Sequence, residues 1–199
     1  MLTTLPNVLT LSRIVAIPLV IVTFYFEGDL WRWVAVVIYA AACVTDFFDG
    51  YFARRRNLIS SFGRFLDPIA DKLLVSALLL MLAAFDRMGQ VTALPAAVIL
   101  CRELLVSGLR EFLAETRVSV PVSRLAKWKT GIQMTALGFL LVGDAGNILM
   151  PARLIGEIGL WAAAILTLIT GFDYLAAGLP HLTSEAPLAS KVGKAQDPA

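Results

Sequence analysis

Charge is what this chain has least of: Asp, Glu, Lys and Arg make up 16% of its 199 residues against 58% hydrophobic residues, with a net charge of only +2. Soluble domains carry about 25% charged residues. With a mean hydropathy of +0.78, the composition is that of an integral membrane protein. So small a charge excess gives no reason to expect nucleic acid as a partner, and the placement of charge matters more than its sum. Cysteine is nearly absent, and Cys43 and Cys101 both sit inside apolar runs, where they read as small core residues rather than a disulfide or metal pair. The single histidine, His181, follows Pro180 beyond the last apolar run and is assigned no role. The opening Met1 to Arg13 lacks the basic start and small-residue cleavage site of a removable signal peptide.

What is there is six apolar segments, near 8–26, 31–53, 66–86, 93–113, 126–143 and 153–178. At roughly 20 apolar residues per crossing, they account for six spans and leave no room for a separate soluble domain. The breaks carry turn or charge signals, among them Glu27-Gly28-Asp29, Asp86-Arg87-Met88-Gly89 and Gly143-Asp144-Ala145-Gly146-Asn147. The expected fold is an all-α membrane domain of six helices over residues 1–182, followed by a polar, flexible tail at 183–199. Arginine and lysine crowd the connections around 54–64 and 114–129, while the opposite ends hold only Arg32, Arg87 and Arg153. By the positive-inside rule both termini and the basic connections face the cytoplasm.

Applied to the polar residues inside the segments, this topology puts them all at the cytoplasmic ends. Asn7, Thr10 and Arg13 open the first segment, Asp46, Asp49 and Arg54 close the second, and Asp67, Asp71 and Lys72 open the third. Arg102, Glu103, Ser107 and Arg110 close the fourth, and Lys127, Lys129 and Gln133 open the fifth. A charge at a membrane helix centre costs about 2.5–3.5 kcal/mol on the lenient insertion scale. Snorkelling outward suits arginine and lysine but not short aspartates. A polar cavity open to the cytoplasm is therefore expected.

The spacing Asp46-x2-Asp49-Gly50-x2-Ala53-Arg54-x8-Gly63-x3-Asp67-x3-Asp71 runs from the second segment into the third. Its offsets are helical, so 46, 49, 50 and 53 share one face and 63, 67 and 71 share another. Four carboxylates in one pocket repel unless divalent cations neutralise them, and all-oxygen ligation favours Mg2+ or Mn2+ over zinc. Gly50, Gly63 and Ala53 leave room for a ligand, and Arg54 can grip a phosphate with its fork of donors. Taken singly, Asp67 before Pro68 is also an ordinary N-cap.

At these residues the chain resembles the CDP-alcohol phosphotransferase family, whose signature D-x2-D-G-x2-A-R-x8-G-x3-D-x3-D is matched at every fixed position from Asp46 to Asp71. The resemblance extends to the opening Pro6-Asn7-Val8-Leu9-Thr10-Leu11-Ser12-Arg13 and to the six-segment layout. It implies a homodimeric six-helix protein of the bacterial cytoplasmic membrane, surrounded by membrane lipids. It assigns Asp46, Asp49 and Asp67 to two divalent cations, and makes Asp71 both a metal ligand and the general base. It places Gly50, Arg54, Ser60 and Gly63, with Asn7 and Thr10, against the CDP-diacylglycerol donor. A carboxylate base then takes the proton of an attacking alcohol while the cations offset the charge of the leaving CMP.

Arg102-Glu103, Leu109-Arg110-Glu111 and Val120-x-Val122-Ser123-x3-Lys127-x-Lys129-Thr130-x2-Gln133-Met134 resemble the branch of that family that makes phosphatidylglycerophosphate in bacteria. Ala126 stands where that branch usually has glycine. Arg102, Arg110, Lys127 and Lys129 suit the phosphate of a dianionic acceptor, which the resemblance identifies as sn-glycerol 3-phosphate. Lys127 and Lys129 also satisfy the positive-inside rule without any such role. Phosphatidylinositol-phosphate synthesis is the alternative within the family. A small transporter or metal channel is the alternative outside it, but polar residues confined to one side do not make a path across a bilayer.

Overall fold

The computed structural model describes residues 5–56, 61–115, 124–147 and 150–183, with side chains described at 11–45, 66, 69–113, 125–147 and 150–179. Six helices make up almost all of it: α1 (Leu5–Thr23), α2 (Asp29–Arg56), α3 (Ser61–Ala84), α4 (Ala93–Glu115), α5 (Arg124–Val142) and α6 (Ala152–Thr183). No strand occurs among the described residues. The helices coincide with the six apolar segments, but α2, α3 and α6 run several residues further at the ends expected to face the cytoplasm. Arg54 to Arg56 and Ser61 to Leu66 are thus helical, because the helix period of the aspartate motif continues through them.

Short turns join the helices. Gly28 takes φ +102° between α1 and α2, a conformation open to glycine at little cost. Asp29 then opens α2, its charge favourably placed at a helix N-terminus. Single turns of 3-10 helix lead into α4 at Gln90–Thr92 and out of α5 at Gly143–Gly146.

Helix α1 packs on α2 and α3, α2 and α3 each meet α5, and α6 lies along α5 and α4. Glycine sets the approach of α5 and α6: a Cβ at Gly156 would come within 2.9 Å of the Leu140 amide nitrogen, and one at Gly159 within 2.9 Å of the Ala136 Cβ. Each helix turns one stripe inward. On α1, Arg13, Ala16, Val20 and Phe24 are buried while Leu11, Val15, Leu19 and Val22 are exposed, the two faces expected at a period of 3.6. Leu74, Leu78, Leu79, Leu82, Ile99, Leu137, Leu140 and Leu160 fill the centre.

The outer surface is apolar as well, with Leu80, Leu104, Ile158, Ile165 and Phe172 all more than half exposed. Two stretches, Gln90–Leu113 and Ala152–Leu179, are long and apolar enough to cross a membrane, and Leu11–Thr23 is a shorter apolar stretch. This outward apolarity corrects the expectation for Cys101: the residue is exposed on α4, while Cys43 is half-buried, and neither is in a disulfide. In a bundle whose exterior is as apolar as its interior, position in an apolar run does not report burial.

Polar side chains gather at the two ends of the bundle. At one end Arg32 of α2 meets Asp144 at 3.7 Å, Arg153 pairs with Glu157 at 3.2 Å, and the Gly89 amide donates to Glu157 at 2.8 Å. The other end holds the candidate site.

Candidate active site

Helix α4 is the hub of this end. Its residues 103, 107 and 110 recur at three- and four-residue intervals and so lie on adjoining faces of one helix. Lys72 of α3 donates to the Ser107 hydroxyl, and Lys129 of α5 donates to the Glu103 carboxylate. Glu103 also accepts from Arg102 at 3.4 Å, so one carboxylate holds two cations. From the other side α6 supplies Thr170, whose hydroxyl accepts from Arg102 at 2.9 Å, and Tyr174, whose hydroxyl accepts from Arg110 at 3.1 Å. Both guanidinium groups lie against the Tyr174 ring, 5.9 Å and 5.5 Å from its centroid. A Cβ at Gly171 would come within 3.0 Å of Arg102 Cγ, so glycine is what lets this arginine pass along α6.

Two cavities open here, with Lys72 and Glu103 as a common wall. One, of about 150 Å³, is lined by Lys72, Arg102, Ser107, Arg110 and Glu111 among others. The smaller, of about 30 Å³, is lined by Asp71, Lys72, Glu103, Lys129 and Gln133 with apolar Val75 and Leu100. Asp71 of α3 shares the smaller cavity with Glu103 of α4 and Lys129 of α5, which locates this carboxylate among those three helices, and Tyr39 of α2 reaches α5 close by. Tyr39 is anchored by donating to the Met134 carbonyl at 2.9 Å.

Of the expected acceptor-phosphate residues, the structure brings three together: Arg102, Arg110 and Lys129. Lys127 stands apart. It is exposed and lines a different cavity, an apolar groove of about 510 Å³ with Trp128, Ile132, Phe139 and Ile155. Two residues along a helix are about 200° apart, so Lys127 and Lys129 cannot share a face. The burial follows suit, with Lys129 only 4% exposed.

Asp46, Asp49, Gly50 and Arg54 lie in α2, Gly63 and Asp67 in α3, and Asn7 and Thr10 in α1, but their side chains fall outside those described. Ser60 falls outside the described residues altogether. The donor set itself can be judged by its chemistry. Asp71 is half-buried, and the C-terminal half of α2 and the first turns of α3 carry three further carboxylates, at 46, 49 and 67; such an all-carboxylate set fits a hard divalent cation such as Mg2+ or Mn2+.

The profile of the CDP-alcohol phosphatidyltransferases matches residues 3–171. The chain belongs to the CDP-alcohol phosphatidyltransferase family. It is accordingly an enzyme, and the match reaches from the opening Asn7 region through the aspartates to Gly171 beside Arg102. Among its relatives, a Rickettsia bellii protein is 53% identical over 173 residues, covering 87% of this chain and 94% of its own length. A Shigella flexneri protein is 40% identical over 183 residues (91% and 98%), and one from Cereibacter sphaeroides 38% identical over 216 (91% and 98%). All three are named CDP-diacylglycerol--glycerol-3-phosphate 3-phosphatidyltransferase.

Sequence reasoning counted Lys72, Glu103 and Gln133 among the polar residues of the expected cavity without giving any of them a particular contact, and did not single out Thr170 or Tyr174; the structure places all five in this site. A signal existed for Gln133, one helical turn from Lys129, and for Tyr174, one turn from Thr170. Nothing in the sequence marks Glu103 as the shared partner of two cations.

Proposed function

We propose that this family member transfers the phosphatidyl group of CDP-diacylglycerol to the primary hydroxyl of sn-glycerol 3-phosphate, giving phosphatidylglycerophosphate and CMP. The observation that carries the reading is the cationic cavity beside Asp71. Arg102, Arg110 and Lys72 line a space able to take a phosphate group, with a carboxylate in the adjoining space. A phosphorylated alcohol fits this division; a neutral amino alcohol would leave the cations unused. The names of the relatives point the same way.

In this reading Asp71 takes the proton of the acceptor's primary hydroxyl. Arg102 and Arg110, steadied by Thr170 and Tyr174, hold the acceptor's phosphate. Lys129 is kept near by Glu103 and adds positive potential. Arg54 grips the donor's pyrophosphate, with Gly50, Ser60, Gly63, Asn7 and Thr10 against the CDP. Asp46, Asp49, Asp67 and Asp71 would hold two divalent cations, Mg2+ or Mn2+, whose chemistry is to offset the charge of the pyrophosphate and of the departing CMP.

The remaining parts of the reading are a six-span homodimer in the bacterial cytoplasmic membrane, with both termini and the cavity on the cytoplasmic side. The exposed apolar flanks and the segregation of charge to the ends of the bundle support it.

The test is to incubate purified protein with CDP-diacylglycerol and a panel of acceptors, following CMP release and the lipid formed. Glycerol 3-phosphate should be the preferred acceptor. Efficient turnover with inositol phosphate or serine, and none with glycerol phosphate, would move the chain to another branch of the family.

A further inference from the structure

Gln133 is 97% buried by its 3% exposure, its Oε1 has no hydrogen-bond partner, and it lines the small cavity beside Asp71. A buried carboxamide oxygen left unpaired is costly and uncommon in a folded protein. Its neighbours do not relieve it: Lys129, one turn away on α5, is engaged by Glu103, and Lys72 is engaged by Ser107. The surrounding space, about 30 Å³, has room for a hydroxyl group or two but not for a phosphate. The group that completes this site is therefore small, polar and able to hydrogen-bond a neutral amide.

Resting on the proposed function, we infer that Gln133 recognises the secondary hydroxyl of the acceptor and makes the enzyme selective for a vicinal diol phosphate. The acceptor presents three polar groups, and the two cavities divide them. Its phosphate belongs with Arg102, Arg110 and Lys72 in the larger cavity, since a dianion seeks cations rather than an amide. Its primary hydroxyl belongs with Asp71, which must reach that proton. The secondary hydroxyl, on the carbon between them, is left for Gln133, whose Oε1 is, among the described residues, the buried side-chain atom of the smaller cavity's lining without a partner. A hydroxyl both donates and accepts, so it complements either atom of the carboxamide. Binding repairs the orphaned Oε1, whereas an acceptor lacking that hydroxyl leaves it unpaired. This asymmetry is what makes hydrogen-bonding pockets selective.

The experiment compares sn-glycerol 3-phosphate with 3-hydroxypropyl phosphate, which keeps the primary hydroxyl and the phosphate but lacks the secondary hydroxyl. The full chain in detergent is supplied with CDP-diacylglycerol, and kcat/KM is measured for each acceptor from CMP release. The parent protein should favour glycerol 3-phosphate by on the order of 10- to 100-fold. In Gln133→Met, a change of similar volume, the ratio should fall toward one, chiefly through loss of efficiency with glycerol 3-phosphate, while KM for CDP-diacylglycerol stays within about twofold of the parent's. A parent protein that uses both acceptors equally well overturns the inference without needing any variant. So does a Gln133→Met protein that keeps the parent's ratio, or one that loses both acceptors and the donor alike, which would mark Gln133 as structural. If Gln133→Met does not fold, Gln133→Leu is read in the same way beside the parent ratio. Failure of the underlying function is separately visible, as turnover by the parent protein with an unrelated acceptor but with neither of these two.

Discussion

Removing the Glu103 carboxylate should destabilise the protein more than removing either cation it holds. Glu103 accepts from Lys129 and from Arg102, and the side chains of Glu103 and Lys129 are 21% and 5% exposed. Breaking a fully buried pair by deleting one partner costs about 3–5 kcal/mol, because the other charge is stranded. Glu103 has some access to water, which lowers the figure for Glu103→Gln to about 2–3 kcal/mol, still with two cations left facing each other. For a chain of this length that corresponds to a fall in Tm of about 5–10 °C. Lys129→Met should cost less, since Glu103 keeps Arg102. The double variant Glu103→Gln/Lys129→Met should recover stability relative to Glu103→Gln alone, giving a coupling energy of about 1–2 kcal/mol. Thermal unfolding of the four proteins in one detergent measures this, and acceptor kcat/KM should remain low in the double variant. A Glu103→Gln protein as stable as the parent, or strictly additive variants, would refute the claim that this carboxylate organises the cationic wall.

Activity should vanish with a chelator and return with Mg2+ or Mn2+, read as CMP release; undiminished release after thorough chelation would exclude a metal-dependent reaction. Asp71→Asn should abolish turnover, at least a thousandfold, while much of the CDP-diacylglycerol binding survives; near-normal turnover would mean the base lies elsewhere. Arg110→Gln should raise KM for glycerol 3-phosphate about tenfold to a hundredfold, the worth of one charge-assisted hydrogen bond, and leave the donor's KM little changed. Lys127→Gln should change it less than about twofold, because Lys127 lines the groove between α5 and α6, and equal effects at the two positions would show that the acceptor's phosphate reaches that groove.

The helix count and approximate bounds were legible because each apolar run was long and was stopped by glycine or charge. The gathering of charge at the ends of the bundle was legible too, since an isolated carboxylate in the middle of an apolar helix is costly. Burial was not. In a soluble helix the polar face marks the outside, but α6 exposes Ile158, Ile165 and Phe172 while burying Thr167 and Thr170. The same inversion put Cys101 outside. Within the site, the sequence named the arginines of α4 because they interrupt an apolar segment, yet it gave no reason to separate Lys127 from Lys129 beyond helical geometry, which is decisive once applied.

The residues that sequence alone left unassigned have a common physical origin. The proposed metal ligands are carboxylates at fixed spacing, a pattern that a one-dimensional string preserves. Groups that hold a cation in place can be Glu, Thr, Ser or Tyr, and come from whichever helix is adjacent, as Ser107, Thr170 and Tyr174 do here. Their identity depends on the packing of α3, α5 and α6 around α4, which is long-range information. Acceptor choice is expected to rest on this second kind of residue, because in the proposed reaction any acceptor presents a hydroxyl to Asp71 and differs in what lies beyond it. A change of acceptor specificity should therefore map to the walls around Arg102, Arg110 and Gln133 rather than to the aspartates.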